Sequence, residues 1–133
     1  MNITIIGTGY VGLANALLFS KEHCVTALDI DPDKISLLNQ GISPINDTLI
    51  QQYLDEKITF TATLDKKEAY FNADLIIVAT PTNYDEVRNF FDTSSIEQVL
   101  EELNDQKNKA IIVIKSTIPV GFTLRMKEKY PSL

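Results

Sequence analysis

The strongest constraint on this chain lies in its first dozen residues. A glycine triplet, Gly7-Thr8-Gly9-Tyr10-Val11-Gly12, sits between an apolar run and a helical pattern. As a bare string Gly-x-Gly-x-x-Gly is weak, because glycine triplets arise by chance. Its context is stronger. Residues 2–6 (NITII) read as a short strand, and residues 10–21 as a helix with Leu13, Ala14, Leu17, Leu18 and Lys21 at helical spacings. Asp29 closes the next β-branched and apolar run, 24–29, at about the ~20-residue offset of a dinucleotide fingerprint. In such a loop Gly7 permits the tight turn, Gly9 lets backbone approach a pyrophosphate, and Gly12 allows close helix–strand packing. The free N–H groups at the helix start face the phosphates. Asp29 is expected to accept hydrogen bonds from the adenosine ribose. A 2′-phosphate would meet like charge there, with Asp31 nearby, so NAD is preferred over NADP. Lys34 reaches that ribose or stands as an exposed helix lysine; both readings stay open. A triphosphate P-loop fits poorly, since Leu13 follows Gly12 where that motif requires lysine.

Strand and helix patterns keep alternating after this unit. Asp31-Pro32 supplies an N-cap and first-turn proline for a helix through about Asn39, which Gly41 can end. Short helices are expected over Thr48–Leu54 and Asp65–Phe71, with a strand at Ile58–Thr61 between them. Leu75–Val78 is a continuous apolar strand, followed by a polar loop carrying Pro81, Tyr84, Phe90 and Phe91. Ser94 and Glu97 form a candidate capping box before a stripe of Ile96, Val99, Leu100 and Leu103. Ala110–Ile114 is the most strand-like run, and Gly121 opens a last short helix. Strands apolar on both faces and separated by helices predict an α/β, Rossmann-type doubly wound and mainly parallel sheet, with helices on both sides. The chain stops after a short helix at Pro131-Ser132-Leu133, so the expected sheet is truncated before its last strand.

Composition narrows the chemistry. The 133 residues make one domain, with no repeat, low-complexity tract or linker. Twelve Lys plus Arg against 18 Asp plus Glu give a net charge of −6, which argues against a nonspecific nucleic-acid binder. A single cysteine, Cys24, excludes an intrachain disulfide and an all-cysteine metal cluster, and His23 is the only imidazole. No metal site is expected. No secretory signal or run of roughly 20 apolar residues is present, so a soluble, cytoplasmic protein is the expectation. Cys24 is expected to be a buried, inert thiol, and His23 a surface residue without a chemical role.

The segments ITIIGTGYVGL, ALDID, GISPI around Pro44, ATPTNYD at 79–85, FDTSSIE at 91–97 and VIKSTIPVGFT at 113–123 are together far more specific than the glycine loop. On these the chain resembles, over essentially its whole length, the N-terminal NAD-binding domain of the UDP-glucose/GDP-mannose dehydrogenase family. They favour members acting on UDP-glucose over relatives acting on UDP-N-acetylmannosamine or GDP-mannose. The resemblance implies two successive oxidations of a glucose C6 alcohol to the carboxylate, consuming two NAD, by a parent enzyme that is a homodimer. It implies that Tyr10 and Val11 line the pyrophosphate turn through their backbone, and that Asp29 and Lys34 hold the ribose. Thr80, Pro81, Thr82 and Ser116 run along the cofactor, and Thr117 faces the active site to hold water or a substrate oxygen. The family's nucleophilic cysteine, with its lysine, asparagine and aspartate and the glutamate of a Phe-Leu-Arg-Glu-Gly segment, lies downstream of residue 133. The domain 1–133 thus lacks the substrate and dimerisation regions and is expected to be inactive by itself.

Bland alternatives stand beside these roles. Thr82 serves equally as a turn-stabilising residue, Ser116 as a local backbone partner and Tyr84 as loop packing. Lys115 reads as a solvated strand-end charge. Two other functions compete: the NAD-binding domain of a related nucleotide-sugar dehydrogenase, and a non-catalytic nucleotide-binding module. A purely structural α/β domain leaves the glycine loop and Asp29 unexplained.

Overall fold

The computed structural model describes residues 1–56, 60–87 and 90–133. Five parallel strands form its main sheet: β1 (Asn2–Ile6), β2 (Cys24–Leu28), β3 (Thr61–Thr63), β4 (Leu75–Val78) and, past a small hairpin, β7 (Ile111–Ile114). Their order is β3-β2-β1-β4-β7, so β1 lies between β2 and β4 and the winding direction reverses beside it. An open parallel sheet of this kind leaves a crevice at the carboxyl ends of its strands, beside that reversal.

Side-chain parity along the strands divides the helices between two faces. Ile3, Ile5, Val25, Ala27 and Ile77 point to the face covered by α1 (Tyr10–Phe19), where Ala16 is fully buried among them. Leu13 and Leu17 of α1 then pack with Ile35 and Leu38 of α2 (Pro32–Asn39) and with Ile50 and Leu54 of α3 (Thr48–Asp55). Ile6, Leu28, Ile76 and Val78 point the other way. They meet α4 (Lys66–Tyr70), α5 (Ser94–Asp105) and Phe122 of α6 (Phe122–Lys129). Thr4, buried on this second face, satisfies its hydroxyl by donating to the Ala69 carbonyl. Each large apolar side chain removed from water this way contributes roughly 1.5–3 kcal/mol. Both faces therefore anchor the strand ends that frame the crevice.

Local signals hold at most boundaries. Asp31 caps α2 by accepting from the Asp33 and Lys34 amides. Gly41, at φ +73°, ends the same helix with its N–H on the Leu38 carbonyl. The four α5 residues expected in one stripe are all buried. The expected Ser94–Glu97 capping box does not form: Ser94 is the first helical residue, Thr93 precedes it as N-cap without a side-chain cap, and the Thr93 hydroxyl donates to the Glu97 carboxylate at 2.9 Å. Ser94 instead gives its amide to Asp92.

Four expectations are corrected or redrawn. The strand expected over 58–61 begins on residues outside the described set, and β3 covers Thr61–Thr63. The polar loop after β4 contains an antiparallel hairpin, β5 (Asn83–Asp85) with β6 (Phe90–Asp92), where the Tyr84 and Phe91 rings lie 4.7 Å apart. β7 is not buried on both faces: it is a sheet edge, with Ile112 and Ile114 packed on the core but Ile111 and Val113 exposed. Cys24 is exposed rather than buried. It is the first residue of β2, paired with Asn2 at the amino end of the sheet, and the covered part of the strand starts only at Val25.

Candidate functional site

A cleft of about 720 Å³ opens at the carboxyl ends of the strands. Gly7, Gly9, Tyr10, Val11, Asp29, Lys34, Thr80, Pro81, Thr82, Ser116 and Thr117 all line it, although they come from four separate strand ends. Gly12 alone among the expected site residues lies beneath the cleft, at the contact between α1 and the loop.

The three glycines hold three different positions. Gly7 turns the chain at φ +95°, and a Cβ there would stand 2.7 Å from the Ala79 carbonyl oxygen at the end of β4. Its amide donates to the Leu28 carbonyl, tying the loop to β2. A Cβ on Gly12 would fall 1.8 Å from the Gly7 carbonyl oxygen, so only glycine lets α1 start this close to β1. Around Gly9 a Cβ would meet nothing within 4 Å. Gly9 is the N-cap of α1, so the unsatisfied amides of the first helical turn stand beside that open space. An anionic pyrophosphate fits this arrangement, drawn by those amides and by the positive end of the helix.

Asp29 follows β2 and is only 8% exposed. Its Oδ2 accepts from both the amide and the hydroxyl of Thr8, each at 2.6 Å, and its Oδ1 accepts from the Asp31 amide at 3.1 Å. The Lys34 ammonium lies 4.0 Å from Oδ2. Burial pushes the Asp29 pKa up, but the Thr8 and Asp31 hydrogen bonds and the Lys34 charge outweigh it, leaving the carboxyl below its ordinary value. The result is a fixed, ionised acceptor at the cleft wall. Thr8 was missed in the sequence reading. It is fully buried and orients the carboxylate from inside the glycine loop; a hydroxyl between the first two glycines, facing a strand-end acid, was the available signal.

Across the cleft, hydroxyls link the loops after β4 and β7. Ser116 donates to the Thr80 carbonyl at 2.7 Å, and Ser95 lies within hydrogen-bond distance of Thr80 Oγ1 and the Pro81 carbonyl, at 3.1 and 3.0 Å. The Ser116 hydroxyl thus ties the loop after β7 to the loop after β4, and Ser95 is a second residue the sequence reading missed. Thr117, exposed on the rim, and Lys115 also face this end. Tyr84 lies outside the cleft lining and packs on Phe91. His23 is partly exposed, its ring 6.3 Å from that of Phe19 at the opposite end of the sheet. Cys24 is beside it, remote from the cleft. Among the described residues no cluster of three or more His, Cys, Asp or Glu could hold a metal, and no helix is long and apolar enough to cross a membrane.

Fold and cleft together define an α/β dinucleotide-binding domain of the Rossmann type. Residues 1–130 match the model of the UDP-glucose/GDP-mannose dehydrogenase family, NAD binding domain, and the chain belongs to that family. NAD is the cofactor of this domain. The chain is 52% identical over 133 residues to the UDP-glucose 6-dehydrogenase of Campylobacter jejuni, covering 98% of this chain and 34% of that protein. It is 44% identical to the UDP-glucose 6-dehydrogenase of Streptococcus pneumoniae, covering 98% of this chain and 33% of that protein. A ternary-complex structure of GDP-mannose dehydrogenase from Pseudomonas aeruginosa superposes with a TM-score of 0.85 at 26% identity, covering 98% of this chain and 33% of that one. The chain spans about a third of the length of the curated relatives it matches.

Proposed function

We propose that this chain is the NAD-binding domain of a UDP-glucose 6-dehydrogenase, the parent enzyme oxidising UDP-glucose to UDP-glucuronate with two NAD. For the cofactor, the observation that carries the reading is the buried, ionised Asp29 beside an open glycine loop. For the sugar, the support is the name borne by the relatives at 52% and 44% identity. Bound NAD supplies the hydride acceptor. The chain's own residues do the rest of this half of the site. The amides of Gly9, Tyr10 and Val11 receive the pyrophosphate, while Asp29 and Lys34 hold the ribose hydroxyls. Thr80, Pro81 and Thr82 line the path across the end of β4, braced from below by Ser116. Thr117 orients a water or substrate oxygen by hydrogen bonding.

A hydroxyl cannot replace both a nucleophile and a base. Cys24, at the far end of β2, is too remote to capture an aldehyde in the cleft. On this reading the nucleophile, the sugar-reading residues and the dimer contacts belong to the remainder of a longer, homodimeric protein, as the family resemblance implies, and residues 1–133 alone are expected not to turn over. NAD and nucleotide sugars are solutes of the cytoplasm, the location we assign. The test is NADH formation, followed by absorbance, by the longer protein carrying this domain. UDP-glucose should support reduction of two NAD per sugar, and GDP-mannose and UDP-N-acetylmannosamine should not. Preference for either of the other sugars would overturn the UDP-glucose reading while leaving the NAD-domain reading intact.

A further inference from the structure

Past Asp29 the cleft continues into a part that neither the glycine fingerprint nor the ribose carboxylate uses. Its mouth carries two large apolar side chains that a folded domain has no internal reason to expose: Ile30, 87% exposed, and Leu64, 48% exposed, both lining the cleft with Val99. Apolar side chains of this kind suit contact with the face of a flat aromatic base. Polar groups of the same cleft gather on one carboxylate, Glu102 of α5. Its Oε1 accepts from the Lys66 ammonium at 2.5 Å and from the Gln98 amide at 3.3 Å, and its Oε2 accepts from the Tyr70 hydroxyl at 3.3 Å. Tyr70 is buried, and burial together with the adjacent Glu102 charge holds its phenol well above the usual value, so it remains a donor.

Three donors fix Glu102 without exhausting it, since a carboxylate offers about four acceptor sites and an ammonium three protons. The pair also keeps contact with solvent, with 43% of the Lys66 side chain and 25% of that of Glu102 exposed. An acceptor and a donor thus stand side by side in the same cleft as these apolar side chains. Adenine presents the matching edge: the exocyclic N6 amino group donates and N1 accepts. Only the amino group can use the remaining acceptor site of Glu102, which leaves N1 to the Lys66 ammonium. We infer that Glu102 and Lys66 read the edge of the cofactor's adenine and select a 6-amino over a 6-oxo purine. The inference rests on the reading of this cleft as the NAD site. In a hypoxanthine base O6 would confront the Glu102 carboxylate and N1–H the ammonium, and a carboxylate held by three side chains cannot exchange places to suit it.

The experiment is calorimetric titration of the full chain with NAD and with nicotinamide hypoxanthine dinucleotide, for the unaltered protein, Glu102→Gln and Lys66→Met. The unaltered chain is expected to bind NAD about tenfold more tightly, the scale of one mismatched hydrogen-bond pair. Glu102→Gln and Lys66→Met are each expected to narrow that ratio, the first because an amide can turn its NH₂ toward O6, the second because it removes the ammonium that opposes N1–H. The preference of Glu102→Gln for NAD over NADP, set at Asp29, should be unchanged. Equal binding of the two dinucleotides by the unaltered chain would overturn the inference and leave the NAD site standing. So would a ratio unmoved in both variants, which would make the pair a structural tie between α4 and α5. Should either variant fail to fold, the comparison of the two dinucleotides on the unaltered chain still decides. Failure of the unaltered chain to bind NAD at all would instead overturn the cofactor-site reading, and this inference with it.

Discussion

Gly12→Ala and Gly9→Val separate the structural job of the glycine loop from its binding job. A methyl group on Gly12 would lie 1.8 Å from the Gly7 carbonyl oxygen and 3.0 Å from its carbon, where ordinary contact begins near 3.4 Å. The first turn of α1 would have to retreat by about 1.6 Å, the gap between those two values. That displacement would drag Leu13, Ala16 and Leu17 out of fully packed positions. The obstacle is backbone and cannot swing aside, so the cost belongs at the upper end of the ~1–3 kcal/mol typical of overpacking. For a domain of this size that lowers Tm by roughly 10 °C. At Gly9 a side chain meets nothing within 4 Å, and φ −69° with ψ −174° is open to any L-residue. Gly9→Val is therefore expected to melt within about 1 kcal/mol of the parent, the residual cost reflecting valine as a poor N-cap. It should lose the stabilisation that NAD confers, about 2.7 kcal/mol at a hundredfold excess over Kd. Thermal melts with and without NAD measure both quantities. Gly12→Ala melting like the parent would refute the packing argument. Gly9→Val that kept the full NAD shift would show that the pyrophosphate does not approach there.

Asp29→Ala should weaken NAD binding and narrow the preference over NADP, and comparative calorimetry checks it; stronger NADP binding by the unaltered chain would sink the ribose assignment. Thr8→Val should raise the Asp29 pKa and move the acid limb of NAD binding to higher pH, with Thr8→Ser restoring it; an unmoved pH profile would deny Thr8 its positioning role. Because the Asp29 pKa is lowered in the folded state, its stabilising contribution is complete above the unfolded value of about 3.9 and is lost as pH falls through the folded value. Asp29→Asn should therefore flatten stability against pH in that acid window, measurable by urea unfolding. In the longer enzyme, Thr117→Ala should lower kcat while leaving NAD affinity largely intact.

Much of this protein was legible because its signals are local. The glycine spacing, the Asp31-Pro32 helix start, the Gly41 helix end and the α5 stripe each depend on neighbours within a turn or two, and the parallel sheet follows from strands alternating with helices. The cleft was legible for the same reason, since its backbone walls are strand ends that carry Gly7, Asp29, Thr80 and Ser116. What the sequence did not display is contact between distant residues. Lys66 meets Glu102 across 36 positions and Thr8 meets Asp29 across 21, so the first pairing exists only once α4 and α5 pack on one face of the sheet, and the second only once β1 and β2 pair. Exposure is likewise decided by place in the sheet. Cys24 and Val25 are adjacent and both apolar enough for a core, yet one stands at the uncovered amino end and the other beneath α1. Local propensity determines which elements form; the crossing of those elements determines which side chains are buried, charged and within reach of a ligand.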